Sequence, residues 1–146
     1  MGSRLAFLIL ASLAGAAMAV QGSLNSALGK VTGLVPATFL VHLLGTGAAG
    51  LLLLLPVTSG SLTRLPHAPW YAFLGGPLGV LIIYLVVASI PRLGVAVATT
   101  AIIVGQVGLA MVIDHFGLFG MEKIPFTWTK LVGLGLLAVG ARLMLN

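Results

Sequence analysis

Among the polar side chains inside the long apolar runs of this chain, seven could bind a solute: Gln21, Asn25, His42, Tyr84, Thr99, Thr100 and Gln106. Amides and hydroxyls of this kind bind neutral or weakly polar solutes by donating and accepting hydrogen bonds. Histidine adds a group whose charge changes near neutral pH. Gln21 and Asn25 are four residues apart and share one helical face; Thr99 and Gln106, seven apart, share another. Gln106 falls near the middle of its apolar run, and the others lie within about 12 Å of that depth at 1.5 Å per residue. Polar groups at membrane depth are costly and face a bundle interior or a cavity. The set therefore predicts a polar, solute-binding cavity lined by the first four spans, with Gln21, Asn25, His42, Tyr84, Thr99 and Gln106 as its candidate residues. The alternative is structural. Interhelical amide bonds contribute about 0.6 kcal/mol each in a measured membrane bundle, and threonine can bond to its own helix. In that reading His42 is a neutral, hydrogen-bonded member of the cluster.

What is missing narrows the chemistry further. The two acids are Asp114 and Glu122, and neither lies at mid-depth, which disfavours cation exchange built on a buried carboxylate. Asp114 and His115 close the fourth apolar run and read as a helix-end cap or a gate, with Asp114 able to reach water, Lys123 or His115. They do not read as a metal site: adjacent residues point to different helix faces, and no third ligand stands nearby. The chain has no cysteine, so thiol chemistry is excluded. P-loop, dinucleotide, HExxH and G-x-S-x-G signatures are lacking. No cofactor is expected, and an enzyme is disfavoured because no nucleophile–base pair is visible at depth.

Such residues need helices to hold them, and the composition says where those helices lie. Of 146 residues, 60% are hydrophobic and only 6% charged, against about 25% charged in soluble domains. A soluble globule cannot cover itself with so few charges, whereas a bundle in lipid need not. Crossing the hydrocarbon core takes about 20 apolar residues. The runs predict one all-α transmembrane domain over 1–146, with spans at about 5–28, 35–57, 70–90, 95–116 and 128–145. The fifth is the shortest between charges, so Lys130 and Arg142 must both snorkel. A Thr58-Ser59-Gly60-Ser61 turn closes the second span after Pro56. Pro77, following Gly75-Gly76, breaks the third near its start, either as a kink or by freeing carbonyls toward a cavity. Short loops require consecutive spans to run antiparallel. Trp70, Tyr71 and Trp128 stand at span starts as interfacial residues do. Small residues recur at helical spacing, as in Ala11/Gly15/Ala19, Gly45/Ala49, Gly75/Gly79, Gly105/Gly108 and Gly133/Gly140, and predict close helix packing. Arg4 followed by an apolar run and Ala17-Met18-Ala19 has the outline of a signal peptide. The run continues to Leu28, which favours an uncleaved span.

Seven Lys/Arg and two acids leave a net charge of +5. The basic residues stand singly near span ends, as interfacial anchors do, so no nucleic-acid partner is expected. With five spans, Arg4, Arg64, Lys123 and Lys130 fall on one side, and Lys30, Arg92 and Arg142 on the other. Four against three is a feeble orientation bias under the positive-inside rule. It favours insertion both ways, with the chain pairing antiparallel with itself or with an oppositely oriented sister chain. A single orientation, with Arg4 inside, is the alternative.

Several segments resemble one family. Gln21-Gly22-Ser23-Leu24-Asn25, Gly75-Gly76-Pro77-Leu78-Gly79, Arg92-Leu93-Gly94, Gly105-Gln106 and Asp114-His115-Phe116-Gly117 are similar, in order and spacing, to those of YdcZ-like membrane proteins of the drug/metabolite transporter superfamily. The resemblance covers nearly the whole chain. It implies a multi-pass protein of the bacterial inner membrane and a five-helix unit, half of the ten-helix inverted repeat of larger relatives. The second half must then come from another chain. Sites in such transporters lie near the midplane between inverted repeats, so each of two antiparallel copies would contribute Gln21, Asn25, His42 and Gln106. The related small multidrug resistance family uses a buried Glu in its first span; this chain has none there. The expected function is transport of a small polar or amphiphilic solute by alternating access. A dual-topology ion channel, a lipid or lipid-carrier flippase and a scaffold subunit are the alternatives.

Overall fold

The computed structural model describes residues 2–55 and 62–144. Five α-helices account for most of them: α1 (Gly2–Thr32), α2 (Leu34–Leu53), α3 (Gly75–Leu93), α4 (Val95–Phe116) and α5 (Trp128–Leu143). Short 3-10 segments at Leu62–His67, Trp70–Leu74 and Leu118–Gly120 complete the helical structure, and no strand occurs among the described residues. The turn expected at 58–61, the end of the second span and Leu145 lie outside the described residues.

Four stretches are long and apolar enough to cross a membrane: Arg4–Thr32, Leu34–Leu53, Trp70–Leu93 and Val95–Phe116. The predicted fourth span coincides with α4. The first helix overruns its predicted span at both ends, because nothing between Gly2 and Thr32 breaks a helix. At 31 residues it reaches about 46 Å, beyond the roughly 30 Å of a hydrocarbon core. In the third span the first five residues wind as 3-10 helix, and α3 begins at Gly75. Pro77 therefore sits in the first turn of α3, where its missing N–H has no intrahelical partner to lose. Helix α5 has 16 residues, about 24 Å, and is the one α-helix too short to cross without help from its flanks.

Large apolar side chains face outward along every helix, among them Leu8, Phe39, Leu85, Leu109 and Leu136. Only Ala37, Val87, Ile90 and Ala98 are buried apolar residues among those described. That is the reverse of a water-soluble fold, and it suits a chain whose solvent is lipid.

The chain divides into two compact units, one ending at Pro91 and the other beginning at Arg92. In the first, α1 and α2 form a helical hairpin hinged on a single residue. Gly33 has φ +90°, a value that side-chain-bearing residues rarely adopt. The hydrogen-bond ladder runs through it: Gly33 N–H donates to the Gly29 carbonyl and Ala37 N–H to the Gly33 carbonyl. Helix α3 packs on α1 where glycines allow it. A methyl at Gly29 would overlap Val87 Cγ1, and one at Gly22 would stand 3.1 Å from Ile90 Cδ1. Gly22 and Gly29 are seven residues apart, two turns of one face.

Of the glycines expected on packing faces, Gly79 and Gly108 meet a neighbour, since added methyls would lie 3.4 Å from His42 Nε2 and 3.8 Å from Leu134 Cδ2, but the others do not. Nothing lies within 4 Å of a methyl built at Gly15, Gly45, Gly75, Gly105, Gly133 or Gly140. Close approach depends on which face a neighbour covers, and spacing alone does not say which.

In the second unit α4 packs on α5 through a return loop. Gly117 caps α4 in the left-handed conformation (φ +62°), donating to the carbonyls of Ile113 and Asp114. The Asp114 carbonyl also accepts from Ile124 N–H at 2.8 Å. Thr127 then caps α5, its hydroxyl accepting from Lys130 N–H.

Candidate functional site

A groove of about 430 Å³ opens in the first unit, lined from α1 by Gln21, from α2 by His42, Gly45, Thr46 and Ala49, and from α3 by Gly79. Hairpin register explains the meeting of α1 and α2: Gln21 lies 12 residues before Gly33 and Gly45 lies 12 after it. The chain folds back at Gly33 and brings them level. Gln21 and His42, two of the residues expected to share a cavity, do line the same one.

His42 is half-buried. Its Nδ1 lies 2.8 Å from the Thr38 carbonyl oxygen one turn earlier. The carbonyl can only accept, so Nδ1 carries the proton and the neutral ring presents Nε2 as an acceptor. Nε2 faces α3 at Gly79, where an added methyl would lie 3.4 Å from it. Thr38 is itself buried, its hydroxyl donating to the Leu34 carbonyl at 2.8 Å.

Asn25 stands elsewhere. It is 6% exposed and not among the residues lining the groove. It lies on the α1 face between Gly22 and Gly29, and its Nδ2 has no hydrogen-bond partner among the described residues. Gln21 is exposed and Asn25 buried although they are one turn apart, because the 40° by which four residues overshoot one turn suffices to separate a groove wall from a packed seam. Tyr84 is exposed on α3 and absent from the groove lining.

In the second unit Thr99 is half-buried and Gln106 exposed. Two largely apolar grooves there, of about 360 and 260 Å³, include neither. The second has His115 in its wall, beside Phe116 and Phe126. Phe126 N–H donates to His115 Nδ1 at 3.3 Å, and the imidazole meets the rings of Phe116 and Phe126 edge-on. His115 thereby ties the return loop to the end of α4. The Asp114 carboxylate makes no ion pair among the described residues; its backbone carbonyl is the group the loop uses. No group of three His, Asp or Glu that could hold a metal occurs among the described residues.

Thr46 and Gly79 were not singled out as site residues in the sequence. A signal existed for the first: Thr38, His42 and Thr46 recur every four residues and make a polar stripe on α2. Nothing in the sequence distinguishes Gly79 from the other glycines, since its part depends on the ring opposite.

No curated protein and no solved structure matches the chain. A family model described as "Putative inner membrane exporter, YdcZ" matches residues 6–143. That family is one of membrane exporters and not a class of enzyme. The match extends from the first helix into the last, and with the lipid-facing helices around the groove it makes the chain a multi-pass inner-membrane transport protein belonging to the YdcZ family of the drug/metabolite transporter superfamily.

Proposed function

We propose that the protein moves a small polar or amphiphilic solute across the inner membrane, with the α1–α2–α3 groove as its binding site. The observation that carries this reading is the meeting of Gln21 and His42, from two helices, in a groove whose other walls are mainly apolar. A hydrogen-bonding pair set in an apolar concavity is the usual constitution of a small-molecule site. In this reading α5 is the fifth span, with Lys130 and Arg142 snorkelling to the two interfaces. The five helices are half of a transporter. An oppositely oriented copy supplies the other half, and one copy rocks against the other to alternate access.

The test is a thermal-stability screen of the reconstituted protein against metabolites and amphiphiles, since ligands raise apparent stability by mass action. Gln21→Ala and His42→Leu should each abolish a stabilising hit. A hit that survives both places the solute outside this groove. Cysteine labelling of both termini tests the pairing: each terminus should be reachable from both sides of the membrane, and strictly one-sided labelling removes the antiparallel homodimer.

A further inference from the structure

Resting on the reading of this groove as the solute site, we infer the class of solute: an apolar body carrying a hydrogen-bond donor, without a negative charge, admitted because residue 79 is glycine. The Thr38 carbonyl 2.8 Å from Nδ1 commits the ring proton to that nitrogen. The neutral imidazole has only one N–H. Its other nitrogen, Nε2, is therefore a bare acceptor directed at α3. Gly79 is the residue it meets, and a methyl there would come to 3.4 Å from Nε2. That is ordinary contact, so alanine fits without displacing anything and covers the acceptor. Glycine leaves it open at some cost in helix propensity.

The rest of the lining sets the remaining terms. Val41, Ile82 and Ile83 supply apolar wall, and no lining residue bears a fixed charge. An anion would meet the Nε2 lone pair with no cation to balance it, and burying such a charge unpaired is costly. A quaternary ammonium would find no carboxylate and has no N–H to give. A hydroxyl, primary amide or similar donor satisfies Nε2, while the Gln21 amide can accept from or donate to the same polar head.

The experiment uses 15N-histidine-labelled protein in lipid nanodiscs at about pH 8, above histidine's ordinary titration range. The His42 signals are assigned from their loss in His42→Gln. Benzamide, N,N-dimethylbenzamide and benzoate share one ring and differ in donor and charge. The imidazole should show its proton on Nδ1, and benzamide should shift the Nε2 resonance saturably. The dimethyl amide and benzoate should bind at least about tenfold more weakly, the loss expected for one unmade hydrogen bond in a dry site. Gly79→Ala should weaken benzamide by a similar factor without lowering the unfolding midpoint. Equal affinity for all three probes, or a proton on Nε2, overturns the donor class and leaves the groove standing as a site. Failure of every probe to move the His42 signals overturns the site itself.

Discussion

The Nδ1 atom of His42 donates to the carbonyl oxygen of Thr38 across 2.8 Å, and this one contact within α2 decides what the helix offers to α3. It fixes the tautomer and leaves Nε2 over Gly79. His42→Leu keeps the bulk of the side chain and removes the acceptor. Transport of any solute found in the screen should fall by about tenfold or more, while unfolding stability should fall by no more than about 1 kcal/mol, the share of the lost Nδ1–Thr38 hydrogen bond. Proteoliposome flux beside thermal unfolding separates the two effects. A fall in stability that matches the fall in flux would make His42 a packing residue.

Asn25 buries an amide nitrogen that has no partner among the described residues, between the two glycines of α1 that meet α3. An unmade hydrogen bond of this kind costs about 1–3 kcal/mol. Asn25→Leu, with the same number of side-chain heavy atoms and fully apolar, should therefore raise unfolding stability by about 1 kcal/mol in a detergent titration. Destabilisation instead would mean that the amide finds a partner in the assembled transporter.

Among the glycines of α1, Gly29 lies tightest against α3. A methyl there collides with Val87 Cγ1, whereas one at Gly15 meets nothing within 4 Å. Gly29→Ala should cost about 1–3 kcal/mol through overpacking, and Gly15→Ala should be neutral or slightly stabilising. Combining Gly29→Ala with Val87→Ala should recover part of the loss. Additive losses in the double variant would show that the two positions do not touch.

His115 accepts the Phe126 N–H at the return loop. His115→Leu removes that acceptor while keeping an apolar contact with the neighbouring rings. Hydrogen exchange at Phe126 should speed up by about fivefold, in line with roughly 1 kcal/mol for one hydrogen bond. Solute binding in the α1–α3 groove should be unchanged. Loss of binding together with faster exchange would give the loop a gating role.

Much of this could be read before any coordinates. The four long apolar runs became helices because in lipid the backbone has no other way to satisfy itself, and α4 spans Val95–Phe116 as its run predicts. The series from Gln21 to Gly117 carried the family. Gln21 and His42 were recognisable as expensive polar residues. What periodicity could not say was which faces meet. Gln21 and Asn25 share a side of α1 in projection, yet the first opens to a groove and the second is buried between the glycines that meet α3. Among the glycines of the first unit, Gly22, Gly29 and Gly79 make the close contacts; of these Gly79 alone stands at an expected spacing, and Gly15, Gly45 and Gly75 stand open.

Composition alone settles the solvent, because it decides whether burial in water or in lipid is possible, and the motif series settles the family. Sequence also confines the polar side chains to a few positions. Which residues become partners is a matter of packing. Gly33 sets the hairpin register that brings Gln21 level with Gly45, and α3 lays Gly79 against the free nitrogen of His42. Contacts between residues far apart in the chain depend on how helices rotate and cross. That is settled by packing over distances of a few ångströms, and no single helix encodes it.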